Sequence, residues 1–95
     1  MKGKKVIVRA NEAGVFFGTL KEKNEKSVIM TDVRKIHYWE GAAAVEQIAA
    51  DGIKKSESSR LTVVVSEMEI ENPVQIIPCT EGAIANLEAI KEWKR

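Results

Sequence analysis

Through the first forty residues the apolar positions recur with a period of two, the signature of strands with different groups on their two faces. Residues 4–9 place Val6 and Val8 on one side and Ile7 on the other, a β-branched density that predicts a first strand. Asn11-Glu12-Ala13-Gly14 supplies turn chemistry, with Gly14 free to take a positive φ. Residues 15–22 read as a second strand, with Val15, Phe17 and Thr19 on one face and Phe16, Gly18 and Leu20 on the other. Gly18 in its middle predicts a bulge or strong bend, because glycine weakens a flat strand. A charged hairpin tip over 21–26 leads to a third strand at Val28-Ile29-Met30, and Asp32 is expected to turn the chain into a fourth over 34–39. The predicted start is a four-stranded antiparallel meander.

At Gly41 the pattern changes. Residues 42–50 are rich in strong helix formers, and Ala44, Val45, Ile48 and Ala49 form an apolar stripe at helical spacing. Gly52 suits the position just past a helix end. After a polar loop over 54–59, residues 60–70 predict the longest strand, with Leu61, Val63 and Val65 facing one way and Val64, Met68 and Ile70 the other. Asn72-Pro73 breaks the run, and 74–77 make a last short strand closed by Pro78. Thr80 is a good N-cap for a second helix, with Glu81 in its first turn and Ala83, Ile84, Leu87 and Ile90 on its buried side. The expected fold is a single α+β domain over 1–95, a small antiparallel, barrel-like β-meander with two short helices in the order ββββαββα.

Ninety-five residues leave no room for a second independent core. Fifteen Lys and Arg against fourteen Asp and Glu give a formal net charge of +1, which argues against a basic nucleic-acid coat and a charge-driven disordered chain. The longest apolar runs, 61–65 and 42–45, fall far short of the roughly 20 residues of a membrane span. The basic start lacks the apolar region of a signal peptide, so cytoplasmic residence is expected. One cysteine, Cys79, permits no internal disulfide and, with one histidine, no metal cluster of the usual spacing.

Catalysis needs a nucleophile, base or metal held by partners, and none is visible. His37 has no acid paired with it in sequence. Cys79 precedes a helix start that would lower a thiol pKa, yet a lone cysteine also serves as a small buried hydrophobe. The spacing Gly14 to Gly18 lacks the Lys-Ser/Thr of a P-loop. Glu67, Glu69 and Glu71 share one strand face, and a single strand rarely supplies every ligand of a cation site. The chain reads as non-enzymatic, without cofactor or metal.

The richest segment is Arg34-Lys35-Ile36-His37-Tyr38-Trp39, in a chain with two Trp, one Tyr and two Phe. On a strand, Lys35, His37 and Trp39 share one face while Arg34, Ile36 and Tyr38 share the other. Cation, imidazole and indole together can stack a base and pair a phosphate. The other reading is that Tyr38 or Trp39 plugs the core, since one aromatic side chain buries roughly 150–250 Å². Arg34, Lys35, His37, Tyr38 and Trp39 are therefore the candidate ligand-binding residues, with Arg9 expected nearby across the sheet. Trp93, in a basic tail over 91–95, is expected either to dock on its own sheet or to contact a second copy, and a free sheet edge also points to a homo-oligomer.

Several stretches are similar to a family of small phage and prophage proteins catalogued as a domain of unknown function: Val6-Ile7-Val8-Arg9, residues 13–20, residues 34–42, Ile76-Ile77-Pro78-Cys79-Thr80, and Trp93-Lys94. Here Asn11-Glu12 stands where relatives tend to carry Tyr-Ser, and His37 where they carry an aromatic. The resemblance implies a phage setting and supplies no activity or cofactor. In that setting the expected function is a small binding protein that counters host defence, by sequestering a nucleotide signal or blocking a defence protein in the host cytoplasm. A nucleic-acid-binding small-barrel module and a structural component of the phage particle are the alternatives.

Overall fold

The structure is a computed structural model and describes residues 1–94. Six strands and two helices follow in the order β1 (Lys5–Ala10), β2 (Gly14–Lys23), β3 (Ser27–Tyr38), α1 (Val45–Asp51), β4 (Arg60–Leu61), β5 (Val65–Glu71), β6 (Pro73–Pro78) and α2 (Glu81–Ala89), with a short 3₁₀ turn at Ser56–Ser58. The strands form one antiparallel sheet in the order β4-β3-β2-β1-β6, with β5 also paired to β3. This is the expected α+β class.

β5 and β6 sit at opposite ends of the sheet, yet only Asn72 separates them in the chain. A one-residue link between opposite edges is possible only if the sheet curls until those edges meet. Asn72 takes φ 56°, which asparagine tolerates better than most residues. Its N–H donates to Lys26 O at 2.8 Å and its carbonyl accepts from Asn11 N–H at 3.1 Å, so it ties together the turns of both N-terminal hairpins. β5 and β6 form no ladder with each other, so the barrel expected from the sequence remains an open curl.

The curl gives the protein two apolar layers. Val6, Val8, Phe16, Leu20, Val28, Met30, Val33 and Ile70 fill the concave side. Ile7, Phe17, Ile36, Leu61 and Leu87 pack on the other side beneath Val45, Ile48 and Ile53. Both faces of the central strands are therefore buried, which explains why their sequences carry apolar residues at consecutive positions.

Gly18 lets β2 and β3 approach closely within the curl. The β2–β3 register shifts between Phe17 and Thr19, and a Cβ built on Gly18 would stand 2.8 Å from Val33 Cα. Only hydrogen fits there, so the expected bend has a steric cause.

Three element boundaries differ from the sequence reading. Asp32 takes φ 47° but kinks the chain rather than reversing it, so β3 is one strand of 12 residues and the meander has three strands. The kink turns the edge of β3 away, and the partner must break with it: β5 pairs with Ser27 to Val33, β4 with Ile36 and Tyr38. The long strand expected over 60–70 is consequently split, leaving Val63 and Val64 exposed. α1 begins at Val45 because no capping side chain stands at Ala44; Gln47 Oε1 instead accepts from Ala43 N–H at 2.8 Å. α2 starts as expected, with Thr80 Oγ1 accepting from Ala83 N–H at 3.1 Å.

Candidate functional site

Kinked β3 delivers the candidate residues to different places. Arg34 points into the helix side of the core, where it is 3% exposed. Its Nε donates to Thr62 O at 3.0 Å, Nη1 to Ile90 O at 2.8 Å and Leu87 O at 3.2 Å, and Nη2 to Leu61 O at 3.3 Å. Two of these carbonyls lie at the C-terminal end of α2, where the helix dipole is negative and a cation is favoured. Burial lowers the guanidinium pKa from its ordinary value, with Glu92 opposing the shift. Arg34 thus staples β3, β4 and the end of α2 together and is spent inside the fold. The expectation that it faces a ligand is corrected accordingly.

Lys35 faces the opposite way, as the strand alternation requires. Its backbone pairs with Thr62, and its side chain lies across Gly14, where an added Cβ would meet Cε at 2.9 Å. It lines a cleft with Glu69 and Glu71 at the end of the curl, apart from His37 and Tyr38. Trp39 is half-buried against the helix-side core and donates its indole N–H to Ala42 O at 3.2 Å. Arg9 lies on β1, two strands from β3 and next to the edge strand β6, its Nε donating to Gln75 Oε1 at 2.8 Å. The six candidates do not form one site.

Two of them remain together, and two partners join them from elsewhere in the chain. The exposed imidazole of His37 stacks on the indole of Trp93, with centroids 5.1 Å apart and planes 10° from parallel. Arg60, register partner of Tyr38 across β3 and β4, holds its guanidinium carbon 5.4 Å from the centre of the same indole. Tyr38 is 46% exposed and donates its hydroxyl to Glu40 Oε2 at 2.9 Å. That bond and the charge of Glu40 raise the phenol's pKa, and burial adds to the rise. The tail is set in place by Trp93 N–H donating to Leu61 O at 2.8 Å and by Glu92 accepting from Val64 N–H at 3.0 Å.

Trp93 therefore docks on its own sheet, the first of its two expected fates. A cleft of about 510 Å³ opens beside it, lined by Ser56, Glu57, Ser59, Ala89, Ile90, Lys91 and Glu92. The two ion pairs among the described residues, Lys5–Glu88 and Lys21–Glu67, do not involve Arg60. Imidazole, indole, guanidinium and phenol thus crowd one surface. Arg60 was legible in sequence only as the start of a strand; no local signal links positions 37, 60 and 93.

The remaining chemistry is plain. Cys79 is half-buried, and burial pushes its thiol up to about 11, which removes the reactive-thiolate reading at neutral pH. Glu67 pairs with Lys21 at 2.8 Å and Glu69 accepts from Ser27 Oγ at 3.0 Å, a solvated face. Among the described residues no three acidic, histidine or cysteine side chains converge as a metal site. No helix among the described residues is long and apolar enough to cross a membrane.

A family model described as a domain of unknown function (DUF6948) matches residues 3–87, from the start of β1 into the last turns of α2. Neither a curated protein nor a solved structure matches the chain.

Proposed function

The chain belongs to the family of the domain of unknown function DUF6948, and we propose that it is a non-enzymatic binding protein whose ligand is a nucleotide. The surface of His37, Tyr38, Arg60 and Trp93 would hold it. The observation that carries this reading is the stack of His37 on Trp93 with Arg60 over the same indole and Tyr38 alongside. A base needs flat π surface, and a phosphate needs a donor fork of positive charge; Arg60 supplies the second beside the first.

A formal net charge of +1 favours one small phosphate-bearing ligand over a long polyanion, whose affinity grows with each neutralised phosphate. In the phage setting that the sequence resemblance implies, capture of a nucleotide signal would deny it to a host defence system.

The test is the melting temperature of the purified chain with mononucleotides, cyclic nucleotides and inorganic phosphate added singly. A ligand that binds only the native state must raise it. The expected result is a rise with a nucleotide that exceeds the rise with phosphate alone. Arg60→Ala should abolish that rise while leaving the circular dichroism unchanged, and Glu25→Gln at the far hairpin tip should retain it. No response to any nucleotide, or a response that survives Arg60→Ala, would overturn the reading. Tight, salt-sensitive binding of a single-stranded oligonucleotide without a mononucleotide response would replace it with the nucleic-acid module.

A further inference from the structure

The two outer strands of the curl offer backbone edges of opposite character. In β6, Cys79 N–H donates to Lys5 O. By the two-residue repeat of an antiparallel ladder, Ile77 and Gln75 also bond toward β1, and Ile76 turns its N–H and C=O outward. In β5, Asn72 N–H donates to Lys26 O, so Ile70 and Met68 bond toward β3 while Glu67, Glu69 and Glu71 turn theirs outward. Among the described residues no strand lies beyond either edge.

We propose that β5 of one copy adds to β6 of the next, continuing the sheet head to tail into an assembly of identical copies. The two strands are matched in length, at seven and six residues. Their side chains match as well. Beside β6 on the concave side lies a cleft of about 750 Å³ whose wall includes Leu20, Val74 and Ile76, and Val74 is 53% exposed. An incoming β5 in the same sheet sense brings Val65 and Met68, which lie on the concave face of their own copy, over that apolar wall. Its three glutamates then fall on the helix side, where Arg9 stands beside Gln75 at the edge of β6.

Symmetric alternatives are poorer. A β5–β5 pair sets three carboxylates against three. A β6–β6 pair has prolines at Pro73 and Pro78 and an outward donor at Ile76 between them. A heterologous contact repeats until a ring closes or a filament grows. This proposal rests on the sheet edges and is independent of the nucleotide reading.

Native mass spectrometry and light scattering of the full chain test it. The expected result is a species of more than two copies. Val74→Asp, which sets a carboxylate against the incoming Val65 and Met68 on the concave side, should reduce it to monomer, as should Glu69→Lys on the other edge. Ile76→Pro, which deletes the outward N–H, provides a second block at β6. Mixing the Val74→Asp and Glu69→Lys chains should restore a one-to-one pair, because each keeps the edge the other has lost. A wild-type monomer at all concentrations, an assembly that survives both blocks, or a dimer that the mixture fails to rebuild would overturn it.

Discussion

The imidazole of His37 lies parallel to the indole of Trp93, their centroids 5.1 Å apart, and this contact joins two positions 56 residues distant in the chain. It holds the segment after α2 against β3, where a short polar tail would otherwise fray. Removing the ring by His37→Ala should cost about 0.5–1 kcal/mol, toward the lower end for an aromatic pair because the ring is exposed. Amide exchange at Trp93, whose N–H bonds Leu61 O, should quicken in the variant. Unchanged exchange there would mean that the stack does not hold the tail.

Arg34→Met retains much of the side-chain volume but takes the guanidinium from the carbonyls of Thr62, Leu87 and Ile90 and leaves Leu61 O with the Trp93 N–H alone. A loss of about 3 kcal/mol or more is expected in urea denaturation, since buried groups lose both bond and solvent. Arg34→Lys should recover only part of it, because an ammonium cannot span four carbonyls. Wild-type stability in Arg34→Met would show the staple to be dispensable.

Two glycines make opposite predictions. Gly18→Ala forces a Cβ to within 2.8 Å of Val33 Cα and 3.0 Å of Thr31 O, both backbone atoms that cannot step aside. It should cost about 1–3 kcal/mol and lower the melting temperature. Gly82→Ala, in α2 with nothing within 4 Å of the new Cβ, should leave the melting temperature unchanged or raise it. A tolerated Gly18→Ala would count against the close approach of β2 and β3.

Burial raises the Cys79 thiol from 9.0 to about 11. At neutral pH an alkylating reagent should therefore react slowly with the native protein and faster in urea. The folded state holds this proton more tightly than the unfolded state does. The stability linked to it is fully present below pH 9 and is lost as pH rises toward 11. Rapid native alkylation at pH 7 would contradict the burial.

Much of the fold was legible because it rests on local physics. Gly18 announced its bend, Thr80 its cap, and Asn72-Pro73 its break, each through the conformational limits of one or two residues. The alternation over 34–39 holds from Arg34 to Ile36, with Arg34 and Ile36 on the helix side and Lys35 on the other. It fails beyond the irregularity between Ile36 and Tyr38: Tyr38 shares the exposed surface of His37, and Trp39, expected beside Lys35 and His37, packs on the helix-side core with Ile36. It could not say which side is the interior. Both faces of this sheet are covered, so the usual inference that a polar residue marks the wet face fails at Arg34. Asp32 misled for a related reason: a left-handed residue makes a turn if the chain can reverse, and a kink if both neighbouring segments already have partners.

Strand and helix periods, caps and glycine sterics act over a few residues, so most of the elements could be read along the chain. Which of their faces meet depends on the fold as a whole. The one-residue link at Asn72 forces the sheet to curl, the kink at Asp32 splits the strand that pairs with β3, and the split brings Arg60 beside Tyr38 and Trp93 onto His37. Those contacts depend on the path of the whole chain, and no pattern within a few residues encodes them.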